Sequence, residues 1–268
     1  MRYKTITAEE AASYISHNDN VGFSGFTASG SPKVIPMAIA QKAESEHAAG
    51  RPFQIGMFTG ASTSDRLDGA LSRANAIKFR TPYQSCGDMR SAINKGAVPF
   101  FDLHLSEVAP KLRNNALGHV DIAIIEASHI TDDGKIYLGT GVGIAPTVCN
   151  MAKKIIIELN HHLPKDLIGF HDIYEPLDPP YRREVPIYKP NDRIGTPYVQ
   201  VDPEKIIGIV ETDLPDGLKD FDTLNEVTMK IGKNVSDFLA EQLRTGRIPE
   251  SFLPLQTLPF NSRTGKIP

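Results

Sequence analysis

Short apolar runs alternate with amphipathic segments along the first 160 residues of the chain. The clearest run, Val120 to Glu126, is dominated by β-branched residues, and polar positions hardly interrupt it. Such runs are typical of strands buried on both faces of a parallel sheet. Further runs predict strands at 21–25, 53–62, 76–80, 97–102, 135–139 and 154–160, with helices at 8–15, 31–49, 67–74, 88–95 and 144–153. This alternation predicts an α/β fold with a mainly parallel sheet and crossover helices.

The pattern changes beyond residue 173. Residues 174–205 are rich in proline and charge. Because proline fixes φ and removes a backbone donor, we expect a long ordered excursion there rather than sheet interior. An apolar run at 205–212 predicts one more strand. Between Asp222 and Thr245, apolar residues recur at three- and four-residue spacing, which predicts an amphipathic helix.

Composition narrows the class of protein. The 268 residues, 40% hydrophobic and 23% charged, are typical of one large or two modest globular domains. A net charge of −3 gives no basic field, so we expect neither nucleic acid nor an anionic membrane as partner. Cys86 and Cys149 form no C-x-x-C pattern, which favours a reducing compartment. The sequence shows neither a signal peptide nor a transmembrane helix, so the expected location is the cytoplasm.

A glycine-rich loop follows the first predicted strand, in the stretch "VGFSGFTASGSPK" (21–33). Gly25 and Gly30 have the spacing of a P-loop, but Ser31 and Pro32 stand where a nucleoside triphosphatase needs Lys and then Ser or Thr. The dinucleotide fingerprint G-x-G-x-x-G does not occur in this loop either. The sequence therefore disfavours both functions.

A second loop, "GVGIAP" (141–146), offers G-x-G but has Pro146 where a third glycine belongs. Glycines let backbone N–H groups approach a ligand closely, and a helix N-terminus attracts anions or a developing oxyanion. The same residue types also make tight turns between strand and helix that bind no ligand. The spacing alone leaves both interpretations open.

The frame Gly25-Phe26-x-x-x-Gly30-x-Pro32, after an apolar strand, resembles the first signature of the class I coenzyme A transferases. Ser24 departs from that signature, because many members have a second glycine there. Longer segments resemble the acetyl-CoA hydrolase/transferase family, which includes the succinyl-CoA:acetate type of CoA-transferase. In order from Thr7 through Gln256, they include "GFSGFTASGSPKVIPMAIA", "GASTSDRLDGAL", "IEASHITDDGKI", "GVGIAP", "KIIIELN", "HDIYEPLDPP", "VDPEKIIGIVET" and "IPESFLPLQ".

The resemblance implies a two-domain α/β enzyme, usually a homodimer, with coenzyme A as substrate and no metal or redox cofactor. A glutamate of the second domain attacks the acyl-CoA thioester and forms first an acyl-glutamyl anhydride and then a glutamyl-CoA thioester. The acyl acceptors are small carboxylates such as acetate or succinate. Within this chain, the resemblance leads us to expect that Gly25, Phe26 and Gly30 shape a wall near the acyl or pantetheine end of the site, and that Thr27 also belongs to the substrate-binding residues.

The resemblance ends at Gln256. Relatives continue into a G-x-G-N loop and a Ser-Glu nucleophile motif, whereas this sequence continues "TLPFNSRTGKIP". We therefore expect residues 1–256 to form the N-terminal α/β domain with a C-terminal amphipathic helix and linker, and 257–268 to be a tail that does not match the family. Truncation, frameshift and a gene split into two subunits all fit. No catalytic residue is assigned to this chain, which we expect to be inactive alone; a subunit of a heteromeric CoA-transferase and a non-catalytic CoA-binding module are the alternatives.

Other polar residues receive structural interpretations. Ser106 and Glu107 resemble a nucleophile motif superficially, but a helix cap followed by a first-turn acid explains them better. Glu126 ends the strongest strand, where loops face ligand sites, and we favour a structural role in which it accepts backbone hydrogen bonds. His161 and His162 have no second ligand cluster at metal spacing, so we predict a surface turn there.

Overall fold

The computed structural model describes residues 2–217, 223–249 and 251 of the chain. The chain divides into two compact units, Met1–Leu218 and Lys219–Pro268. The first unit contains a β-sheet and the helices packed on it, and the described part of the second contains one long helix. The predicted tail at 257–268 lies outside the described residues.

The strands form one sheet, which has eight strands in the part of the chain that the structure describes. Six strands run parallel in the order β3-β2-β1-β4-β6-β8, while β5 lies antiparallel to the distal end of β4 and β7 lies antiparallel to β5. The mainly parallel α/β sheet that the sequence predicts is confirmed. The strands are β1 (Asn20–Phe23), β2 (Ile55–Phe58), β3 (Ile77–Thr81), β4 (Ile122–Ile130), β5 (Lys135–Leu138), β6 (Lys154–Asn160), β7 (Val199–Gln200) and β8 (Ile206–Thr212).

Crossover helices cover both faces of this sheet, and successive residues of the central strand point to opposite faces. Ile122 and Ile124 belong to one apolar cluster, and Ala123 and Ile125 belong to the other. Because both faces of β4 are buried in its first half, residues 122–125 are all apolar. The helices are α1 (Ala8–Ser13), α2 (Ile35–Ala48), α3 (Ala70–Arg73) and α4 (Gly87–Asn94) on the first cluster, and α5 (Leu105–Arg113) and α6 (Ala145–Met151) on the second.

The predicted strand at 97–102 is wrong. Phe100 makes only an isolated parallel bridge with Arg80. The Arg80 N–H donates to the Pro99 carbonyl, and the Phe101 N–H donates to the Arg80 carbonyl. Pro99 has no N–H of its own, so the ladder cannot extend through it.

Two predicted helices differ from the observed ones near their N-termini. The helix predicted at 31–49 begins only at Ile35, and Pro36 lies in its first turn, where the missing N–H has no cost. The helix predicted at 67–74 is a π-helical turn, Asp65–Gly69, followed by the short α3. A π-helical turn is rare and often accompanies a functional site.

The predicted cap at Ser106 is wrong, because α5 begins at Leu105, two residues before the start that a cap at Ser106 would give. His104 occupies the N-cap position and makes no side-chain capping hydrogen bond. Glu107 lies in the first turn, as predicted, where its charge complements the helix dipole.

The proline-rich excursion is confirmed. The predicted range, 174–205, contributes no interior strand to the sheet: it contains the two-residue edge strand β7, an isolated bridge from Thr196 to Ile173 and a 3₁₀ turn, Pro203–Lys205. Arg113 of α5 fastens the excursion to the sheet unit, because its guanidinium donates to both carboxylate oxygens of Asp178 at 2.7 Å. Bidentate pairs of this kind fix both distance and orientation.

The amphipathic helix predicted for 222–245 is α7 (Glu226–Arg244) in the second unit. It begins with a capping box, in which the Asn225 side chain accepts hydrogen bonds from the N–H groups of Val227 and Thr228 and the Thr228 hydroxyl accepts from the Asn225 N–H. Position 222 of the predicted helix lies outside the described residues. Of the described residues, none belongs to a helix with the length and apolar character required to cross a membrane.

Candidate functional site

Four loops meet at the edge of the sheet where the parallel strands end. They are the glycine loop (24–33) after β1, the second-strand loop (59–64) after β2, the 139–144 loop after β5, and the 213–217 loop after β8. In parallel α/β sheets this edge is where ligands bind. The four loops are therefore the candidate functional site.

The glycine loop brings Gly25, Phe26, Thr27 and Gly30 together in one turn. Phe26 and Ser29 exchange backbone hydrogen bonds of 2.9 and 3.1 Å. Thr27, with φ of +52°, donates its N–H to a carbonyl of the second-strand loop and accepts an N–H from the same loop. The side chain of Phe26 is left 52% exposed at the surface of the turn.

Glycines allow the glycine loop and the 139–144 loop to touch backbone to backbone. A Cβ atom on Gly30 would lie 2.9 Å from the Gly141 carbonyl oxygen, and one on Gly143 would lie 2.2 Å from the Gly25 carbonyl oxygen. Gly25, Gly30 and Gly143 also have positive φ values of +113°, +67° and +52°. Side chains at these positions would force the loops apart.

Ser24, the residue that departs from the class I signature, is fully buried and stabilises this turn. Its hydroxyl donates to the Gly30 carbonyl at 2.8 Å and accepts the Glu126 N–H at 2.9 Å. The hydroxyl therefore links Gly30 of the glycine loop to the central strand β4. A glycine at position 24 could make neither contact through a side chain.

The N-terminus of α2 holds a carboxylate that belongs to the chain itself. Glu158, at the end of β6, accepts hydrogen bonds from the backbone N–H groups of Lys33, Val34 and Ile35. Burial raises the pKa of Glu158, and these three N–H groups oppose the shift. The helix N-terminus that the sequence offers to a substrate anion is thus already occupied.

Lys33, the last residue of the glycine loop, has a buried side chain. Its side chain is 4% exposed, and its Nζ forms an ion pair with Glu126 and lies 3.3 Å from Asp216 Oδ1. The Asn160 amide also donates to Glu126 Oε1 at 2.8 Å. The structural role expected for Glu126 is supported, but its side-chain partners are an ammonium and an amide rather than backbone groups.

The other oxygen of Glu126, Oε2, has no hydrogen-bond partner among the described residues. Burial raises the pKa of Glu126 to about 7, against the opposing effects of Lys33 and Asn160. The free oxygen points towards the 139–144 loop, since a Cβ atom on Gly139 would lie 3.3 Å from it. Glu126 therefore takes up or releases a proton near neutral pH beneath the candidate site.

A second buried ion pair supports the second-strand loop. Arg80 Nε donates to Asp68 Oδ1 at 2.7 Å, and both side chains are fully buried. Arg80 also donates to the Ser62 carbonyl, and Asp68 accepts the Ser64 N–H. This pair fixes the loop against which Thr27 is hydrogen-bonded.

The structure brings the four glycine-loop residues together in one turn, and their predicted role in substrate binding stays a prediction. Sequence reasoning misses the charged side chains that support this turn. Lys33, Glu126 and Glu158 lie in segments that resemble the family, but nothing in the spacing of these segments relates the three residues to one another or to Asp216. A usable signal is nevertheless present: acidic residues lie in the buried strands β4 and β6, where an unpaired charge is costly. In the described ranges, no cluster of three or more His, Cys, Asp or Glu side chains is arranged to hold a metal ion.

The fold is shared with solved structures, among them a 4-hydroxybutyrate CoA-transferase from Porphyromonas gingivalis, which covers 87% of this chain with a TM-score of 0.50 and 15% identity. Among solved structures, the match with RipA from Yersinia pestis covers 87% of this chain and 48% of the RipA chain, with a TM-score of 0.60 and 17% identity. A chain of the decarboxylase AibA/AibB matches 92% of this chain and 99% of its own, with a TM-score of 0.51 and 13% identity. Identities this low show a shared fold alone.

The sequence identifies the family. Residues 1–211 match the acetyl-CoA hydrolase/transferase N-terminal domain, and the chain belongs to that family. It is 48% identical to the propanoyl-CoA:succinate CoA transferase of Escherichia coli K12, over 96% of this chain and 52% of that protein. It is 38% identical to the succinyl-CoA:acetate CoA-transferase of Clostridium kluyveri, over 96% of this chain and 47% of that protein. It is 39% identical to the acetyl-CoA hydrolase of Schizosaccharomyces pombe, over 91% of this chain and 48% of that protein. The chain thus spans about half the length of these curated relatives.

Proposed function

We propose that this chain supplies the N-terminal domain of an enzyme that transfers CoA between an acyl-CoA and a small carboxylate, or hydrolyses the acyl-CoA. The single observation that carries the proposal is family membership across residues 1–211, with relatives named as CoA transferases and acetyl-CoA hydrolases. Acetate and succinate are the proposed carboxylates, because the names of the relatives contain them. Coenzyme A is a substrate in this proposal, and no metal or redox cofactor takes part.

The four glycine-loop residues form the proposed wall of the acyl-CoA site. Phe26 offers an exposed apolar ring, and Gly25 and Gly30 keep the backbone close to the neighbouring loop. An apolar surface suits the pantetheine or acyl portion of the substrate, which carries little charge. Thr27 fixes the position of this surface through its two backbone hydrogen bonds to the second-strand loop.

Three buried carboxylates close to this wall are already engaged. All three are fully buried: Glu126 is paired with Lys33 through Oε1, Glu158 accepts three backbone N–H groups, and Asp68 is paired with Arg80. A carboxylate nucleophile must be accessible to the thioester that it attacks. We therefore assign none of these three as the nucleophile, and we expect the chain alone to be inactive.

The purified 268-residue chain tests this assignment directly. It is incubated with acetyl-CoA, with and without succinate, and free CoA thiol and succinyl-CoA are measured. The expected result is no turnover above the rate without protein. Thioester cleavage that a single Glu→Ala change within this chain abolishes would show that the nucleophile had been overlooked.

A heteromeric CoA-transferase subunit is the second candidate. One observation favours it: the match with this chain covers 99% of a chain of the decarboxylase AibA/AibB, so the fold occurs as a separate chain of about this size. Co-purification with a second chain that carries a G-x-G-N loop and a Ser-Glu motif would support this candidate. Homo-oligomeric assembly and a cytoplasmic location stay predictions.

A further inference from the structure

One carboxylate connects three of the four loops at the candidate site. Asp216 Oδ1 accepts the Gly30 N–H at 2.9 Å and the Gly217 N–H at 2.8 Å, and Oδ2 accepts the hydroxyl of Thr140. These partners lie in the glycine loop, the 213–217 loop itself and the 139–144 loop. No motif in the sequence relates them, since 186 residues separate Asp216 from Gly30.

The backbone of Gly217, next to Asp216, contacts the turn of the glycine loop. A Cβ atom on Gly217 would lie 2.5 Å from the Ala28 carbonyl oxygen, so only glycine allows this approach. The Ser29 hydroxyl donates to the Gly217 carbonyl at 3.0 Å. The pair Asp216-Gly217 therefore contacts three successive residues of the glycine loop, 28–30.

The 213–217 loop is itself anchored to the sheet. Asn160, the last residue of β6, donates to the Leu214 carbonyl at 2.8 Å and accepts the Leu214 N–H at 3.2 Å. The same amide group donates to Glu126. The position of Asp216 is thus fixed by the ends of β6 and β8 rather than by the loop alone.

The ammonium group of Lys33 compensates the charge of Asp216. The side chain of Asp216 is 8% exposed, and Lys33 Nζ lies 3.3 Å away between Asp216 and Glu126. Hydrogen bonds to an ionised acceptor are about twice as strong as neutral ones. An ionised Asp216 therefore holds Gly30 and Thr140 more firmly than a neutral side chain could.

We infer that Asp216 is a positioning residue, which holds the glycine loop in the shape required for the acyl-CoA wall by joining it to the 139–144 and 213–217 loops. This inference rests on the proposed function for its catalytic consequence. The positioning itself can be measured without any substrate, so the two can fail separately.

The first measurement is hydrogen–deuterium exchange on the full chain, comparing Asp216→Ala, Asp216→Asn and wild type. Asp216→Ala should accelerate exchange in the peptide covering 24–33 by about tenfold or more, since it removes charge-assisted hydrogen bonds. Peptides covering β4 should be unchanged. Asp216→Asn should lie between the two, because its amide oxygen can still accept the Gly30 N–H.

Asp213→Ala is the matched control, because Asp213 lies in the same loop with its side chain 75% exposed and, among the residues that the structure describes, is paired with His162 alone. It should exchange as wild type does. Unchanged exchange at 24–33 in Asp216→Ala would overturn the inference, as would equal acceleration in β4, which indicates general loss of stability. If Asp216→Ala does not fold, Asp216→Asn provides the same comparison.

The second measurement gives the catalytic consequence. This chain is fused ahead of the second half of the E. coli relative, and CoA transfer from propanoyl-CoA to succinate is followed. Asp216→Ala should lower kcat/KM by about tenfold or more, Asp216→Asn should recover part of the loss, and Asp213→Ala should match the parent. If the fusion without any substitution is inactive, that result counts against the proposed function alone. If this fusion is active and Asp216→Ala leaves its kcat/KM unchanged, the positioning role is overturned.

Discussion

Gly30 combines a left-handed backbone conformation, which glycine adopts freely, with a close contact, and the effects of the two on a substitution can be separated. Its φ is +67°, and a Cβ atom there would lie 2.9 Å from the Gly141 carbonyl oxygen. Gly50, after α2, has a similar φ of +74°, but a Cβ atom on Gly50 would meet nothing within 4 Å. The two glycines therefore differ mainly in what surrounds them.

We expect Gly50→Ala to lower the free energy of unfolding by about 1 kcal/mol, the cost of placing an L-residue in the left-handed region. Gly30→Ala should cost about 2 kcal/mol or more, because the new methyl group must also displace the 139–144 loop. Urea unfolding followed by circular dichroism measures both. Equal losses would contradict the close loop contact described for Gly30.

The raised pKa of Glu126 makes the free energy of unfolding depend on pH. Its pKa in the folded chain is about 7, above the ordinary value of 4.5, because burial favours the neutral acid. The folded state therefore holds a proton that the unfolded state has lost between these pH values. The stability from this group is fully present below about pH 4.5 and is lost as pH rises through about 7, by about 3 kcal/mol in total.

Glu126→Gln removes this titration and keeps the shape of the side chain. Between about pH 4.5 and about pH 7, the free energy of unfolding of Glu126→Gln should decline less than that of wild type. Urea unfolding at several pH values across this window gives both profiles. Parallel profiles would mean that Glu126 does not titrate in this range.

At the scale of elements, the start of α2 depends on a residue that is distant in sequence. Glu158 replaces the usual N-cap side chain, since Val34 at the N-cap position makes no side-chain hydrogen bond. The carboxylate also complements the positive end of the helix dipole. One residue thus joins β6 to the helix that follows the glycine loop.

Glu158→Ala should lower the free energy of unfolding by about 3 kcal/mol, because three buried N–H groups lose their acceptor. Thr7→Ala provides the comparison, since Thr7 caps α1 through the single N–H of Glu10, and its loss should cost about 1 kcal/mol. Thermal and urea unfolding measure both variants. If Glu158→Ala costs no more than Thr7→Ala, Glu158 does not hold α2 in place.

Helices and strands are predicted correctly where the spacing of apolar residues determines them. The prediction fails where a contact with a residue distant in sequence determines where the element begins or whether it forms. The strand predicted at 154–160 has the observed bounds, because all its residues after Lys154 are buried and apolar or paired. The apolar run at 97–102 resembles a strand equally well, but only Phe100 bridges to Arg80. The start of α2 at Ile35 could not be predicted, since Glu158 supplies its cap.

At the scale of the whole molecule, long-range ion pairs assemble the candidate site. Lys33 contacts Glu126 across 93 residues and Asp216 across 183 residues. A single sequence offers no periodicity or spacing that relates such residues. The glycine loop itself could be predicted, because its conformational requirements are local, whereas its charged support could not.

Family membership connects this arrangement to acyl-CoA chemistry. The chain spans about half the length of its curated relatives, so the central claim concerns what this half contributes to a complete enzyme. We claim that the glycine loop and its neighbours form a working wall of the acyl-CoA site. A fusion with the second half of a relative tests that contribution independently of the activity of this chain alone.

The most direct measurement is CoA transfer from propanoyl-CoA to succinate by the fusion of this chain with the second half of the E. coli relative, which is 48% identical to it over the matched region. We predict succinyl-CoA formation well above the blank, and loss of most of this activity in the Gly30→Val variant of the fusion. A folded fusion that forms no succinyl-CoA, or one whose rate Gly30→Val leaves unchanged, would contradict the claim.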